Sequence, residues 1–159
     1  MCLVSRQRLS DRFNYTVIVI AVVVTAIDAL SKIWVRYALK HHAVHVGGAI
    51  WLRLQYNSGI SFSFNQTRTA LTTVATLVVA LVVVAVGLRA RGGLATVGFG
   101  LLIGGGVANV VDRLSASPHQ VTDFIALGSF PVFNLADVAI TVGFITLLVA
   151  ALTGEKLLA

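Results

Sequence analysis

Acidic residues are few in this chain, and most stand where a charge is costly. Of the six among 159 residues, Asp11 and Glu155 lie near the ends. The other four lie within or beside long apolar stretches or between the last two of them: Asp28, Asp112, Asp123 and Asp137. An ionisable group at such a place is a candidate for function, with a structural ion pair as the alternative for each one.

Asp123 and Asp137 have the setting of a catalytic carboxylate pair. Asp123 lies in a segment predicted to be extended or to form a short turn, and Asn134 is a candidate N-cap that places Asp137 in the first turn of the last helix. Gly128 and Pro131 allow the chain between them to fold back, although the spacing does not require it. Two carboxylates in one site do not ionise together easily, so one keeps a proton while the other acts as a base toward water. Capping alone is the alternative role of Asp137.

Two further polar groups have helical spacing. Asp28 and Lys32 are four residues apart and share a helix face, which favours an ion pair with a scaffold role over direct contact with a substrate. Asn109 and Asp112 also share a face, and the adjacent Arg113 either holds a carboxylate through two hydrogen bonds or reaches lipid headgroups. The preceding run of residues 104–106 is all glycine and predicts close helix packing, with a hinge or a substrate groove as alternatives.

The composition predicts the elements that must carry these residues. Hydrophobic residues make up 57% and charged residues 11% of the chain, and the mean hydropathy is +0.91, which excludes an ordinary soluble domain. Four apolar stretches are long enough to cross a bilayer, and backbone groups in lipid must be satisfied within a helix. We therefore predict one all-α membrane domain over 1–159, with spans at 15–38, 70–88, 93–111 and 135–153.

Two loops of this predicted fold are long, at 39–69 and 112–134. In the first, the residues from Ile50 to Tyr56 alternate in character, which predicts a small β-like structure at the membrane surface. The net charge of +6 comes from scattered basic residues, a pattern that favours anionic lipid headgroups over nucleic acid as the partner. The single cysteine, Cys2, excludes an internal disulfide, and we predict no metal or cofactor.

Five motifs occur in the order in which a known family has them, from the first predicted span to the fourth. The sequence thereby resembles the lipoprotein signal peptidase (signal peptidase II) family. The motifs are Asp28-Ala29-Leu30-Ser31-Lys32, Asn57-Ser58-Gly59-Ile60-Ser61-Phe62-Ser63, Gly104-Gly105-Gly106-Val107-Ala108-Asn109-Val110-Val111-Asp112-Arg113, Val121-Thr122-Asp123-Phe124 and Phe133-Asn134-Leu135-Ala136-Asp137.

The resemblance implies a multi-pass enzyme of the bacterial inner membrane with cytoplasmic termini and an active site near the extracytoplasmic face. Such an enzyme removes the signal peptide from diacylglyceryl-modified prolipoproteins, on the amino side of the lipidated cysteine. It implies that Asp123 and Asp137 are the catalytic dyad. The residues it implies as lining or supporting the site are Asp28, Lys32, Asn57, Gly59, Asn109, Asp112, Arg113 and Asn134.

Two other functions are compatible with acids in apolar segments. A small proton-coupled transporter could use Asp28, Asp123 and Asp137 as a relay, but the internal repeats and mid-span breaks typical of transporters are missing from the sequence. A non-catalytic lipid-binding or assembly protein is the second alternative, if the aspartates only cap helices and pair with cations.

Overall fold

The computed structural model describes residues 13–57, 66–115 and 120–158. Over these ranges the chain forms helices and a small sheet, which we number in chain order. The elements are α1 (Tyr15–Ala38), β1 (Val44–Gly47), β2 (Ile50–Asn57), α2 (Gln66–Gly87), α3 (Gly93–Ser115), β3 (Val121–Leu127) and α4 (Leu135–Leu152).

The apolar stretches fold into helices, as predicted. Among the described residues, α1, α3 and α4 are long and apolar enough to cross a membrane, with hydropathies of 2.1, 1.8 and 2.3. Large apolar side chains such as Leu30 and Phe144 are exposed on the helices, as lipid contact requires. Helix α2 carries a shorter apolar stretch, Leu77–Gly87. The chain is therefore a mainly helical membrane protein, and the fourth span stays a prediction.

The helix boundaries differ from the predicted ones mainly at α3. This helix runs to Ser115 instead of ending at 111, so Asp112 and Arg113 lie in its last turns and not in the following loop. Helix α2 begins at Gln66, before the predicted residue 70, and α4 ends at Leu152. The extension of α3 gives Asp112 a fixed helical position facing α1.

Helix α3 packs against each of the other helices, and its glycines allow the close approach. A Cβ atom on Gly104 would lie 2.7 Å from Val24 Cβ of α1, and one on Gly105 would lie 2.5 Å from the carbonyl oxygen of Ala136 in α4. Gly106 has no heavy atom within 4 Å of the same position. The predicted packing seam is therefore confirmed at two of the three glycines.

The described strands form one antiparallel sheet in the order β1-β2-β3. The β-like structure predicted for 39–69 is confirmed as the β1–β2 hairpin, and β3, from the segment before α4, adds a third strand to it. In the β2–β3 pairing, Gln55 lies opposite Asp123. Residues Val35, Leu39 and Phe124 form a small apolar core between α1 and the sheet.

The chain folds back between β3 and α4, as Gly128 and Pro131 allow but do not require. Gly128 has a φ of +53°, in the left-handed region that glycine favours. Phe133 then pairs with Ile125, donating its N–H to the Ile125 carbonyl at 3.0 Å and accepting the Ile125 N–H at 2.8 Å. This return brings the first residues of α4 beside Asp123.

The opposite end of the bundle is held by side chains near both described ends of the chain. The Asn14 side-chain amide donates to the Ala90 carbonyl at 3.0 Å and to Thr96 Oγ1 at 2.7 Å. Glu155 Oε1 accepts the Ala95 N–H at 2.9 Å, at the start of α3. Residues 14 and 155 therefore lie together, at the end of α3 away from Asp112.

Glycine 105 provides a test of this packing. Gly105→Ala places a methyl group against the Ala136 carbonyl, so α4 must shift, and overpacking of this kind costs about 1 to 3 kcal/mol. Gly106→Ala is the matched control, because it adds the same methyl group to open space in the same helix. We expect a lowered thermal unfolding midpoint in detergent for Gly105→Ala alone. Equal midpoints for the two variants would contradict the packing described here.

Candidate active site

The two aspartates of the predicted pair meet at one asparagine. The Asn134 side-chain amide donates to Asp123 Oδ1 at 2.6 Å, and its Oδ1 accepts the Asp137 N–H at 3.0 Å. Asp137 Oδ2 in turn accepts the Asn134 N–H at 3.2 Å, which completes the predicted capping arrangement of α4. Asn134 is fully buried and Asp123 is 1% exposed. The structure therefore brings Asp123 and Asp137 to the two sides of a single buried amide.

Two further asparagines hold the outer oxygens of the pair. Asn57 Nδ2 donates to Asp123 Oδ2 and Asn109 Nδ2 donates to Asp137 Oδ1, each at 2.9 Å. Asn134 also donates to Asn109 Oδ1, at 3.3 Å. Each of the four carboxylate oxygens thus accepts a hydrogen bond, which fixes the orientation of both groups. Asn57 is exposed and Asp137 is half-buried, so Asp137 is the more accessible member of the pair.

Behind the pair lies the buried ammonium group of Lys32, which is 2% exposed. Its Nζ lies 2.7 Å from Asp28 Oδ2, as the spacing predicted, and 3.6 Å from Asp112 Oδ2. The same Nζ donates to Asn109 Oδ1 at 3.0 Å. Asp28 Oδ1 accepts the Ala136 N–H at 2.8 Å, so this carboxylate joins α1 to the first turn of α4. These contacts agree with a scaffold role for the ion pair.

Sequence reasoning missed Arg36 and Thr122. Arg36 pairs with Asp112 and also donates to Thr122 Oγ1, from Nε at 3.0 Å and from Nη2 at 2.7 Å. The Thr122 N–H donates to Asp112 Oδ2 at 2.6 Å. The available signal was spacing, since Arg36 follows Lys32 by four residues and Asp28 by eight on the same helix side. Asp112, predicted as a supporting residue, lies between these two cations.

Arg113 and Gly59 complete the set of predicted residues. Arg113 lies half-buried in the last turn of α3. Gly59 lies outside the described residues.

The surroundings of Asp123 shift the pKa of its carboxyl group upward. Burial raises the pKa of the Asp123 carboxyl group above its ordinary value, and the nearby charge of Asp137 raises it further. The hydrogen bonds from Asn57 and Asn134 and the charge of Lys32 lower the pKa, but burial outweighs them. Asp123 therefore binds a proton more readily than an ordinary aspartate. Asp137 lies in the first turn of α4.

The fold and the site together define a class: a helical membrane protein with two carboxyl groups held together at one end of its bundle. Comparison with known proteins gives the family. Residues 20–153 match the signal peptidase (SPase) II family. The chain belongs to the signal peptidase II family.

Individual relatives agree with this assignment. The chain is 37% identical to a lipoprotein signal peptidase of Rhodococcus jostii, over 93% of this chain and 78% of the relative. It is 39% identical to a lipoprotein signal peptidase of Gloeobacter violaceus, over 86% of this chain and 81% of the relative. A bacterial membrane enzyme solved by the in meso method at 1.9 Å resolution is 26% identical, with a TM-score of 0.77 over 86% of this chain and 92% of that one.

The Lys32 ion pair can be tested by removing one partner and then both. Lys32→Met leaves Asp28 buried without its cation, and breaking a buried pair costs about 3 to 5 kcal/mol. Adding Asp28→Asn removes the orphaned charge, while the oxygen of the introduced amide can still accept the Ala136 N–H. In detergent, we expect the thermal unfolding midpoint of the double variant to lie between those of Lys32→Met and the wild type. A Lys32→Met protein as stable as the wild type would contradict a structural ion pair.

Proposed function

We propose that this signal peptidase is an aspartic endopeptidase in which Asp123 and Asp137 activate a water molecule. The observation that carries the proposal is the sharing of Asn134, whose side chain contacts Asp123 and the Asp137 backbone within 3.0 Å. Family membership identifies the reaction as removal of the signal peptide from a prolipoprotein. The paired carboxyl groups supply the chemistry that such a hydrolysis needs.

The two carboxyl groups take different roles in this mechanism. Asp123, whose pKa is raised by burial, holds the proton, donates it in a hydrogen bond to the scissile carbonyl oxygen and transfers it to that oxygen as the carbonyl carbon is attacked. Asp137 takes a proton from water, and the resulting hydroxide attacks the carbonyl carbon to form a tetrahedral intermediate. The amine then leaves with a proton from Asp137, while Asp123 recovers its own as the C–N bond breaks. Asn57, Asn109 and Asn134 keep the carboxyl groups aligned throughout.

The substrate of this proposal is a prolipoprotein whose cysteine carries diacylglycerol, and the bond cut lies on the amino side of that cysteine. The acyl chains stay in lipid beside the apolar outer faces of the helices, while the peptide reaches the pair from the side of exposed Asn57. Membrane lipids are the other partner. Nucleic acid is not a proposed partner, because the basic residues are scattered along the chain.

For the topology, we infer a single domain over 1–159 with four spans, α2 included, in the bacterial inner membrane. The dyad lies at the Asp112 end of α3, whereas Asn14 and Glu155 lie at its other end. This separation supports cytoplasmic termini and an active site near the extracytoplasmic face. Family membership does not favour the transporter or the non-catalytic lipid-binding alternative.

The dyad is tested by exchanging each acid for its amide. In cleavage assays with a diacylglyceryl-modified prolipoprotein in detergent, we expect Asp123→Asn and Asp137→Asn each to lower kcat by about 10² to 10⁴. Glu155→Gln is the matched control at the opposite end of the bundle, because the amide oxygen can still accept the Ala95 N–H. Wild-type cleavage by folded Asp123→Asn and Asp137→Asn would refute the proposal.

A second test uses the pH dependence of kcat/KM. Cleavage requires one proton on the pair, so the rate falls at low pH when a second proton binds and at high pH when the last one leaves. The Asn57 hydrogen bond lowers the pKa of Asp123. Asn57→Ala therefore raises that pKa, and we expect the alkaline limb to move to higher pH. An unchanged limb, or a shift to lower pH, would contradict the assignment of the last proton to Asp123.

A further inference from the structure

Arg36 is the point at which α1, α3 and β3 are joined beside the dyad. Its side chain is 34% exposed, and its guanidinium group pairs with Asp112 of α3. The same group donates two hydrogen bonds to Thr122 Oγ1, at 2.7 and 3.0 Å. Thr122 is fully buried and directly precedes Asp123 in β3. The contacts of Arg36 therefore act one residue away from a carboxyl group of the dyad.

Arg36 also affects the position of the Lys32 ammonium group, through the charges around it. Two anions, Asp28 and Asp112, face two cations, Lys32 and Arg36, and Arg36 supplies one of these two positive charges. Lys32 Nζ lies 2.7 Å from Asp28 and 3.6 Å from Asp112. Because Arg36 holds Asp112, the Lys32 ammonium group stays close to Asp28.

The position of Lys32 affects the dyad through the side chain of Asn109. Lys32 donates to Asn109 Oδ1 at 3.0 Å, and the Asn109 amide donates to Asp137 at 2.9 Å. Without Arg36, Asp112 would attract the ammonium group away from Asp28 and Asn109. Arg36 is thus connected to both halves of the site: to Asp123 through Thr122, and to Asp137 through Lys32 and Asn109.

We propose that Arg36 is a positioning residue for the hydrolysis, acting through Thr122 and Asp112 and touching no reacting atom. The inference rests on the proposed dyad and extends it to a residue outside the five motifs. If the proposal is correct, substitution of Arg36 lowers the rate of the chemical step in folded enzyme and leaves substrate binding nearly unchanged.

The first part of the experiment compares Arg36 variants. We expect Arg36→Gln to lower kcat about tenfold or more, since hydrogen bonds to charged groups are lost, with KM within about threefold of the wild type. Arg36→Lys restores the charge but not both hydrogen bonds, so it recovers part of the rate. Arg89→Gln, at an exposed arginine near the other end of the bundle, is the matched control and keeps wild-type kinetics.

The second part isolates the threonine contact. Thr122→Val keeps the shape and the backbone N–H bond to Asp112 and removes only the hydroxyl group. We expect it to lower kcat about threefold, and to have no further effect when added to Arg36→Gln, because the two residues act through one contact. If Arg36→Gln does not fold, Arg36→Lys and Thr122→Val decide the question by the same kinetic measurements.

Thermal unfolding and kcat per folded enzyme separate positioning from stability. Arg36 variants that lose stability while kcat stays within about twofold of the wild type would overturn the proposal. So would a double variant of Arg36→Gln and Thr122→Val whose loss of kcat is the product of the two single losses, because the residues would then act independently. The dyad is judged separately. Inactive Asp123→Asn with fully active Arg36→Gln would refute the role of Arg36 alone, whereas active Asp123→Asn would refute the dyad.

Discussion

The ammonium group of Lys32 is the interaction on which the rest of the site depends. A cation in the interior of a helix bundle is strongly disfavoured unless anions and hydrogen-bond acceptors surround it. Asp28 and Asn109 supply close contacts, and Asp112 adds a longer one. Because these groups come from α1 and α3, satisfying one buried charge fixes how the two helices face each other.

The same requirement extends to α4. Asp28 accepts the N–H of Ala136, and Asn109 donates to Asp137, so the first turn of α4 is held by the residues that surround Lys32. The glycine at 105 allows this approach, since α4 lies against its backbone. The charged groups around Lys32 and the close packing at Gly105 thus act together to position Asp137. The sheet adds Asp123 from the other side, and Asn134 joins the two carboxyl groups.

Local patterns in the sequence predicted the parts of the site that are close along the chain. Four-residue spacing predicted the Asp28–Lys32 pair, and the cap three residues before Asp137 predicted the start of α4. The contact of Arg36 with Asp112 joins residues 76 apart, and no short pattern encodes it. The sequence also did not distinguish Gly105 from Gly106, because that difference depends on which side of α3 faces a neighbouring helix.

The central claim is that Asp123 and Asp137 form one coupled pair with the proton on Asp123. The most direct test is to follow the carboxyl carbon of Asp123 by NMR during a pH titration of the isotopically labelled enzyme in detergent. We expect Asp123 to titrate above its ordinary pKa, and to titrate at lower pH in Asp137→Asn, which lacks the neighbouring charge. An Asp123 that titrates at or below its ordinary pKa, with no change in Asp137→Asn, would contradict the account.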